Sequence, residues 1–217
     1  SAYSNLLIST QSTDYNAIKP CSLDYVFTDP PFGGNLMYSE LNHVWESWLK
    51  VVTDNCHEAV ENKTQKKLLF DYQILMTNCF REYYSSLKPG RWMTVEFHNS
   101  KNSVWNSIQE ALQVAGFVIA DVRTLDKQHS TFQQITASAA VKQDLIISCY
   151  KPDVEIEERF VNLSGTEEGV WDFVRTHLKQ LPKIVVEKGK MQIVAERQNY
   201  LLYDRMVAFY LQRNVLV

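Results

Sequence analysis

The sequence predicts an α/β fold: a mostly parallel sheet with an antiparallel terminal hairpin, followed by a small α+β extension. Three observations carry this expectation. Short apolar runs alternate with stretches of helical period from residue 5 to residue 122. The apolar run near Phe117 and the next one, near Leu145, are joined by a polar stretch with no helical period, as in a long hairpin. Composition then changes at Lys151-Pro152-Asp153, dividing the chain into residues 1–152 and a helix, hairpin and helix over 153–217.

Taken in order, Asn5 to Thr10 reads as a short strand and Leu23 to Thr28 as a second. The second runs into Asp29-Pro30-Pro31-Phe32, where two prolines remove ladder donors and end it. Leu41, Val44, Trp45, Trp48, Leu49 and Val52 recur on one helical face, predicting an amphipathic helix over 39–52 with its tryptophans in the core. Leu68, Tyr72, Leu75, Cys79, Phe80 and Tyr83 repeat that spacing over 68–87, and Lys88-Pro89-Gly90 is the expected stop. Arg91 to Phe97 is a strand, Val104, Trp105, Ile108, Leu112 and Ala115 mark a helix closed by Gly116, and Phe117 to Val122 is another strand. Strand, helix and strand of these lengths imply a parallel crossover. Leu145 to Tyr150 completes the sheet as an antiparallel edge. Ser164-x-x-Glu167 has the form of a capping box opening a helix through Leu181. A hairpin, 184–187 with 191–195 around Lys188-Gly189-Lys190, and a helix over 197–213 end the chain.

With 217 residues, 45% of them hydrophobic, the chain can bury one substantial core. A formal net charge of −3 argues against a grip on nucleic acid through bulk positive charge. The tail from Lys151 balances ten basic against ten acidic side chains, so charge does not mark it as a DNA-binding module. Cys21, Cys56, Cys79 and Cys149 show no CxxC pairing; they suggest neither a metal site nor a disulfide framework and are expected to be buried, reduced thiols. No apolar run reaches the ~18 residues of a membrane span. The sequence starts without the charged and apolar regions of a signal peptide, so the expectation is a cytoplasmic protein with no membrane contact.

Asp29-Pro30-Pro31-Phe32 is where the chemistry concentrates. A rigid surface turn would also use proline's fixed φ, but here each position has a chemical task. An exocyclic amino group of adenine is a poor nucleophile because its lone pair is delocalised into the ring. The Asp29 carboxylate and the Pro30 carbonyl can each accept one of its N–H bonds, favouring a pyramidal nitrogen whose lone pair is free to attack. Prolines offer carbonyls without competing N–H donors and hold the turn rigid before substrate arrives. Phe32 offers a ring for the base, and Gly33-Gly34 let the backbone pass close to it. The base must leave its stack to be reached.

Asp-Pro-Pro-Phe after an apolar strand resembles the catalytic motif of DNA amino-methyltransferases, which methylate adenine N6 or cytosine N4. Gly33 to Glu40, Trp45 to Leu49, Leu87 to Phe97 and Ala140 to Leu145 resemble large bacterial site-specific adenine-type DNA methyltransferases, a likeness covering most of residues 5–152 and more weakly the tail. The resemblance implies a Rossmann-like methyltransferase sheet, S-adenosyl-L-methionine as cofactor and DNA as partner, with adenine N6 favoured because Asp opens the motif. Asp29, Pro30, Pro31 and Phe32 would be catalytic, and Phe32, Gly33, Asn35 and Tyr38 would meet the substrate. Thr10, Asp14 and Asp29 would face the cofactor. The family's glycine-rich cofactor loop has no counterpart, since the seven glycines include no G-x-G. The expectation is therefore an N-terminally truncated domain, cut at both ends, that binds the cofactor weakly on its own and can self-associate through an exposed sheet edge.

Secondary candidates have ordinary structural alternatives. Asn35, Tyr38, Glu40 and Asn42 lie where a loop could cover the base, though polar residues before a helix commonly serve as caps. His98, Asn99 and Ser100 end a strand on the motif's side of the sheet, where open α/β sheets place ligands. The loop from Thr124 to Gln143 holds Lys127, Gln128, His129, Gln133, Gln134 and Lys142, which could contact a DNA backbone, and Phe132, a second stacking ring for a base, unless the loop is simply solvated. Amino-methylation of RNA or of a glutamine side chain, and a non-catalytic DNA-binding or assembly subunit, stay open beside DNA adenine methylation.

Overall fold

In the computed structural model, which describes residues 6–34, 36–99, 101–125, 144–187, 190–192 and 194–215, β1 (Leu23–Thr28) lies parallel to β2 (Leu87–Phe97). Val26 sits opposite Met93 and Thr28 opposite Val95. β3 (Val118–Leu125) and β4 (Asp144–Tyr150) form the antiparallel hairpin, and β4 enters the sheet between β2 and β3, giving the order β1-β2-β4-β3. Because β2 and β3 both run antiparallel to β4, they run parallel to each other, as the crossover through α3 (Asn102–Val114) requires. The α/β class and the terminal hairpin are as the sequence predicts. The antiparallel strand lies inside the sheet, however, and β3 forms that edge.

The pleat sorts side chains into two cores. Met93, Val95 and Phe97 of β2, Ile147 and Cys149 of β4 and Ile119 of β3 pack with Tyr72, Met76 and Phe80 of α2 (Leu69–Ser86) and Val104, Ile108 and Leu112 of α3. Val118, Ala120 and Tyr150 alternate with them and join a second core. It contains Ile156 and Phe160 of α4 (Val154–Leu163), Phe173 of α5 (Glu167–Gln180) and Met206, Phe209 and Tyr210 of α6 (Asn199–Leu211). A short hairpin of β5 (Val185–Glu187) and β6 (Lys190–Gln192) connects α5 to a 3₁₀ turn at Ala195–Arg197. Within the second core Arg205 reaches Glu196 through two nitrogens, at 3.0 and 2.8 Å, so neither buried charge is left alone.

Several elements depart from the sequence reading. Residues 6–10 form no strand, and Leu6, Leu7 and Ile8 are exposed; a strand needs a ladder partner, and no described residue supplies one. α1 (Tyr38–Leu49) forms where the helical period places it, yet Trp45 and Trp48 are 71% and 84% exposed rather than core. Periodicity tells which residues share a face, not whether that face meets anything. Lys88-Pro89-Gly90 does not separate helix from strand: β2 begins at Leu87 and absorbs the tripeptide as a bulge, with Gly90 at φ +71 and the β1 register shifting between Leu23 and Tyr25. α4 has no counterpart in the sequence reading, since only Ile156 and Phe160 are buried along it. The α5 cap is Thr166, whose hydroxyl accepts the Gly169 N–H at 3.1 Å, and not Ser164. Cys21 and Cys56 are exposed, and only Cys149 is fully buried.

Candidate functional site

The prolines that stop the β1 ladder place Asp29-Pro30-Pro31-Phe32 at the C-terminal end of β1, beside the ends of β2 and α3. Behind the turn the chain closes tightly. Gly33 has φ +81, and a Cβ there would lie 3.3 Å from Val104 Cγ1. A Cβ on Gly34 would lie 3.3 Å from the Glu61 carbonyl oxygen. Two side chains grip the turn from elsewhere in the fold. Tyr72, buried in α2, donates its hydroxyl to the Pro31 carbonyl at 2.6 Å, and burial pushes that hydroxyl far above its ordinary pKa, so it remains a donor. Asn99 Nδ2 donates to the Phe32 carbonyl at 2.6 Å while its Oδ1 accepts the Lys101 N–H at 2.7 Å, which fixes the amide's orientation. The Phe32 ring stands edge-on to Phe97, with centroids 5.5 Å apart, and to His98 at 6.2 Å. The carbonyls of Pro31 and Phe32 are thus engaged, whereas among the described residues no hydrogen bond reaches the Asp29 carboxylate or the Pro30 carbonyl.

Asp29 and Pro30 open onto a cavity of about 290 Å³ whose walls include Asp14, Thr28, Tyr38, His57 and Cys79. The fold therefore brings Asp14 and Tyr38 to the same space as Asp29. Asp14 accepts a hydrogen bond from the Ser12 hydroxyl and lies 2.9 Å from His57 Nδ1. The Ser12 bond, with His57, outweighs partial burial and holds the Asp14 carboxyl below the usual range. Burial, and then the negative charge of Asp29, raises the Tyr38 hydroxyl. Burial, with Asp14 nearby, pushes the Cys79 thiol up to about 11, so it stays protonated and is no nucleophile at neutral pH.

α1 starts at the rim of this cavity without a side-chain cap of its own. Glu58 serves instead, accepting the Ser39 N–H at 2.9 Å, the Ser39 hydroxyl at 2.7 Å and Gln65 Nε2 at 2.8 Å. Burial would raise the Glu58 carboxyl, but these bonds more than offset it and hold the group below its ordinary value. An anion at the first turn of a helix also meets the positive end of the helix dipole.

The other candidates are distributed unevenly. Thr10 is exposed and does not line the cavity. Gly33 lies against Val104 and Asn99. His98 Nδ1 sits 2.5 Å from Asp144 Oδ1 at the mouth of the β3–β4 hairpin. Asn35, Ser100 and Phe132 lie outside the described residues. Among the described residues no three His, Cys, Asp or Glu side chains gather as metal ligands, and no helix is long and apolar enough to cross a membrane. Tyr72, His57 and Glu58 escape the sequence reading. Tyr72 is legible only as one residue of a helix face, and His57 and Glu58 stand in a polar stretch without period.

No family model matches the chain, and no curated protein matches it. Solved structures give distant likenesses. TTHA0409 of Thermus thermophilus, described as a DNA modification methylase and solved with S-adenosyl-L-methionine, aligns over 73% of this chain and 60% of its own at 14% identity and a TM-score of 0.38. The [4+2]-cyclase SpnF aligns over 67% of this chain and 56% of its own at 11% identity and a TM-score of 0.36. A methyltransferase from the complex with the Haloferax volcanii Trm112 activator aligns over 65% and 60% at 11% identity and a TM-score of 0.35. The chain thus spans 56–60% of the length of these structures. TM-scores below 0.5 leave function to the chain's own site.

Proposed function

We propose that the chain carries the catalytic part of an S-adenosyl-L-methionine-dependent amino-methyltransferase whose favoured substrate is the N6 amino group of adenine in DNA. One observation carries this reading: Asp29 and Pro30 present two adjacent oxygen acceptors that no described protein group occupies, in a turn whose next two carbonyls are held from behind by Tyr72 and Asn99. An amino group has two N–H bonds to give, and a rigid pair of acceptors takes both. Accepting them draws the nitrogen lone pair out of conjugation and aims it away from the acceptors. Phe32, fixed edge-on by Phe97 and His98, offers a ring for the base, which must first be extruded from its duplex.

The cofactor would supply the electrophilic methyl group. Asp14 and Asp29 suit one side of it, because carboxylates accept ribose hydroxyls and attract a sulfonium, and both face the cavity. A cavity of about 290 Å³ lies at the small end of ligand sites and fits part of the cofactor. The described residues offer no glycine-rich loop for the rest. The reading is tested with tritiated S-adenosyl-L-methionine and a duplex carrying a mispaired adenine. A full-length protein that joins this chain to a cofactor loop should label the duplex, and Asp29→Ala in it should abolish labelling with its circular dichroism unchanged; full labelling by the variant rejects the assignment. Label found in RNA or in glutamine rather than DNA would move the substrate while keeping the chemistry.

A further inference from the structure

We propose that the turn from Asn62 to Lys67 docks the phosphodiester backbone of the nucleic-acid substrate through Lys63 and Lys66. The inference rests on reading the substrate as a nucleic acid and adds the surface that holds it. The six residues Asn-Lys-Thr-Gln-Lys-Lys contain three lysines and no acidic side chain, in a chain whose net charge is −3. Attraction for a polyanion must then be local.

The turn is built to hold its shape. Asn62 and Lys67 exchange two backbone hydrogen bonds of 2.9 Å, and Asn62 Oδ1 accepts the N–H groups of Thr64 at 2.7 Å and Gln65 at 3.2 Å. Lys67 turns inward and donates to the Asn55 and Glu58 carbonyls at 2.5 and 2.6 Å. Lys63 and Lys66 remain exposed, and among the described residues no carboxylate pairs with either. The nearby acids are engaged: Glu58 by Ser39 and Gln65, Glu61 by Lys101 at 3.5 Å.

Its seat is the segment that follows the candidate turn. Gly34, two residues after Phe32, packs on the Glu61 backbone, and Asn62 Nδ2 lies 2.8 Å from Met37 Sδ. A base extruded onto Phe32 carries flanking phosphates with it, and the Asn62–Lys67 turn packs on the residues that follow Phe32. Screening limits such attraction to about 10 Å at 0.1 M salt, so placement rather than total charge decides it.

The test needs neither cofactor nor methyl transfer, so its outcome is separate from that of the methylation assay. Binding of a fluorescein-labelled duplex with a mispaired adenine is followed by anisotropy across a potassium chloride series, for the wild-type chain, Lys63→Gln/Lys66→Gln and the α5 control Lys179→Gln. The double variant should lower the slope of log Kd against log salt by about 1–2 and weaken binding several-fold near 0.1 M, with its thermal midpoint and the control unchanged. An unaltered slope in the double variant, or no duplex binding by the wild type, overturns the proposal.

Discussion

A single hydroxyl distinguishes Tyr72 from phenylalanine, and it fixes the Pro31 carbonyl. Tyr72→Phe keeps the ring in the core, so the fold should lose only about 1 kcal/mol, as for one hydrogen bond. With the turn freed, kcat for the proposed methyl transfer should fall by roughly tenfold, about 1.4 kcal/mol, with KM little changed. Urea denaturation and steady-state labelling separate the two effects. Gly33→Ala tests the turn from behind: a side chain at φ +81 costs about 1–2 kcal/mol before its contact with Val104 is counted, which a lowered thermal midpoint would register. The place of Asp29 to Phe32 at a strand end is legible in the sequence because two prolines after an apolar run must stop the ladder. Tyr72 and Asn99 are not, because what they do depends on which carbonyls the fold brings to them, 41 and 67 positions away along the chain.

The longer elements follow from period and punctuation, and what the sequence withholds is who meets whom. α2 and α3 show apolar faces that are indeed buried, whereas the equally periodic α1 turns Trp45 and Trp48 outward. α4 is illegible because two inward residues are too few to set a period. α5 holds the clearest pH sensor. His177 is fully buried, stacks on Phe173 and lies 2.9 Å from the Tyr150 hydroxyl. Burial, then the charges of Arg205 and Arg197, pushes its pKa from 6.5 down to about 4. Below pH 6.5 the unfolded chain gains a proton there that the folded chain refuses until about pH 4, so stability falls as pH drops through that window. The contribution is on the order of 3 kcal/mol. Urea midpoints measured from pH 7 to 4.5 should fall more steeply for wild type than for His177→Leu. Gly169 marks where α5 meets its neighbours. A Cβ there would collide with the Leu163 carbonyl oxygen and lie 2.9 Å from the Tyr210 hydroxyl, so Gly169→Ala should lower the thermal midpoint sharply.

Across the whole molecule, apolar surface is unevenly shielded. Tyr25 and Phe27 on β1 are 54% and 59% exposed, β1 pairs only with β2 among the described residues, and α1 adds Trp45 and Trp48. An open strand edge beside exposed aromatic rings favours association. Sedimentation velocity should show species growing with concentration, and Trp48→Lys should shift them toward monomer. The place of β4 has a different consequence, for the order in which the polypeptide can mature. As the chain leaves the ribosome β2 and β3 come first, yet each must wait for β4 to bridge them, with Phe97 meeting Leu145 and Val118 meeting Tyr150. Until Tyr150 has emerged, the growing chain carries a two-strand stub and an open seam, the long-range pairing that slows folding and invites chaperone capture. The second core must wait longer still, for Phe209 and Tyr210.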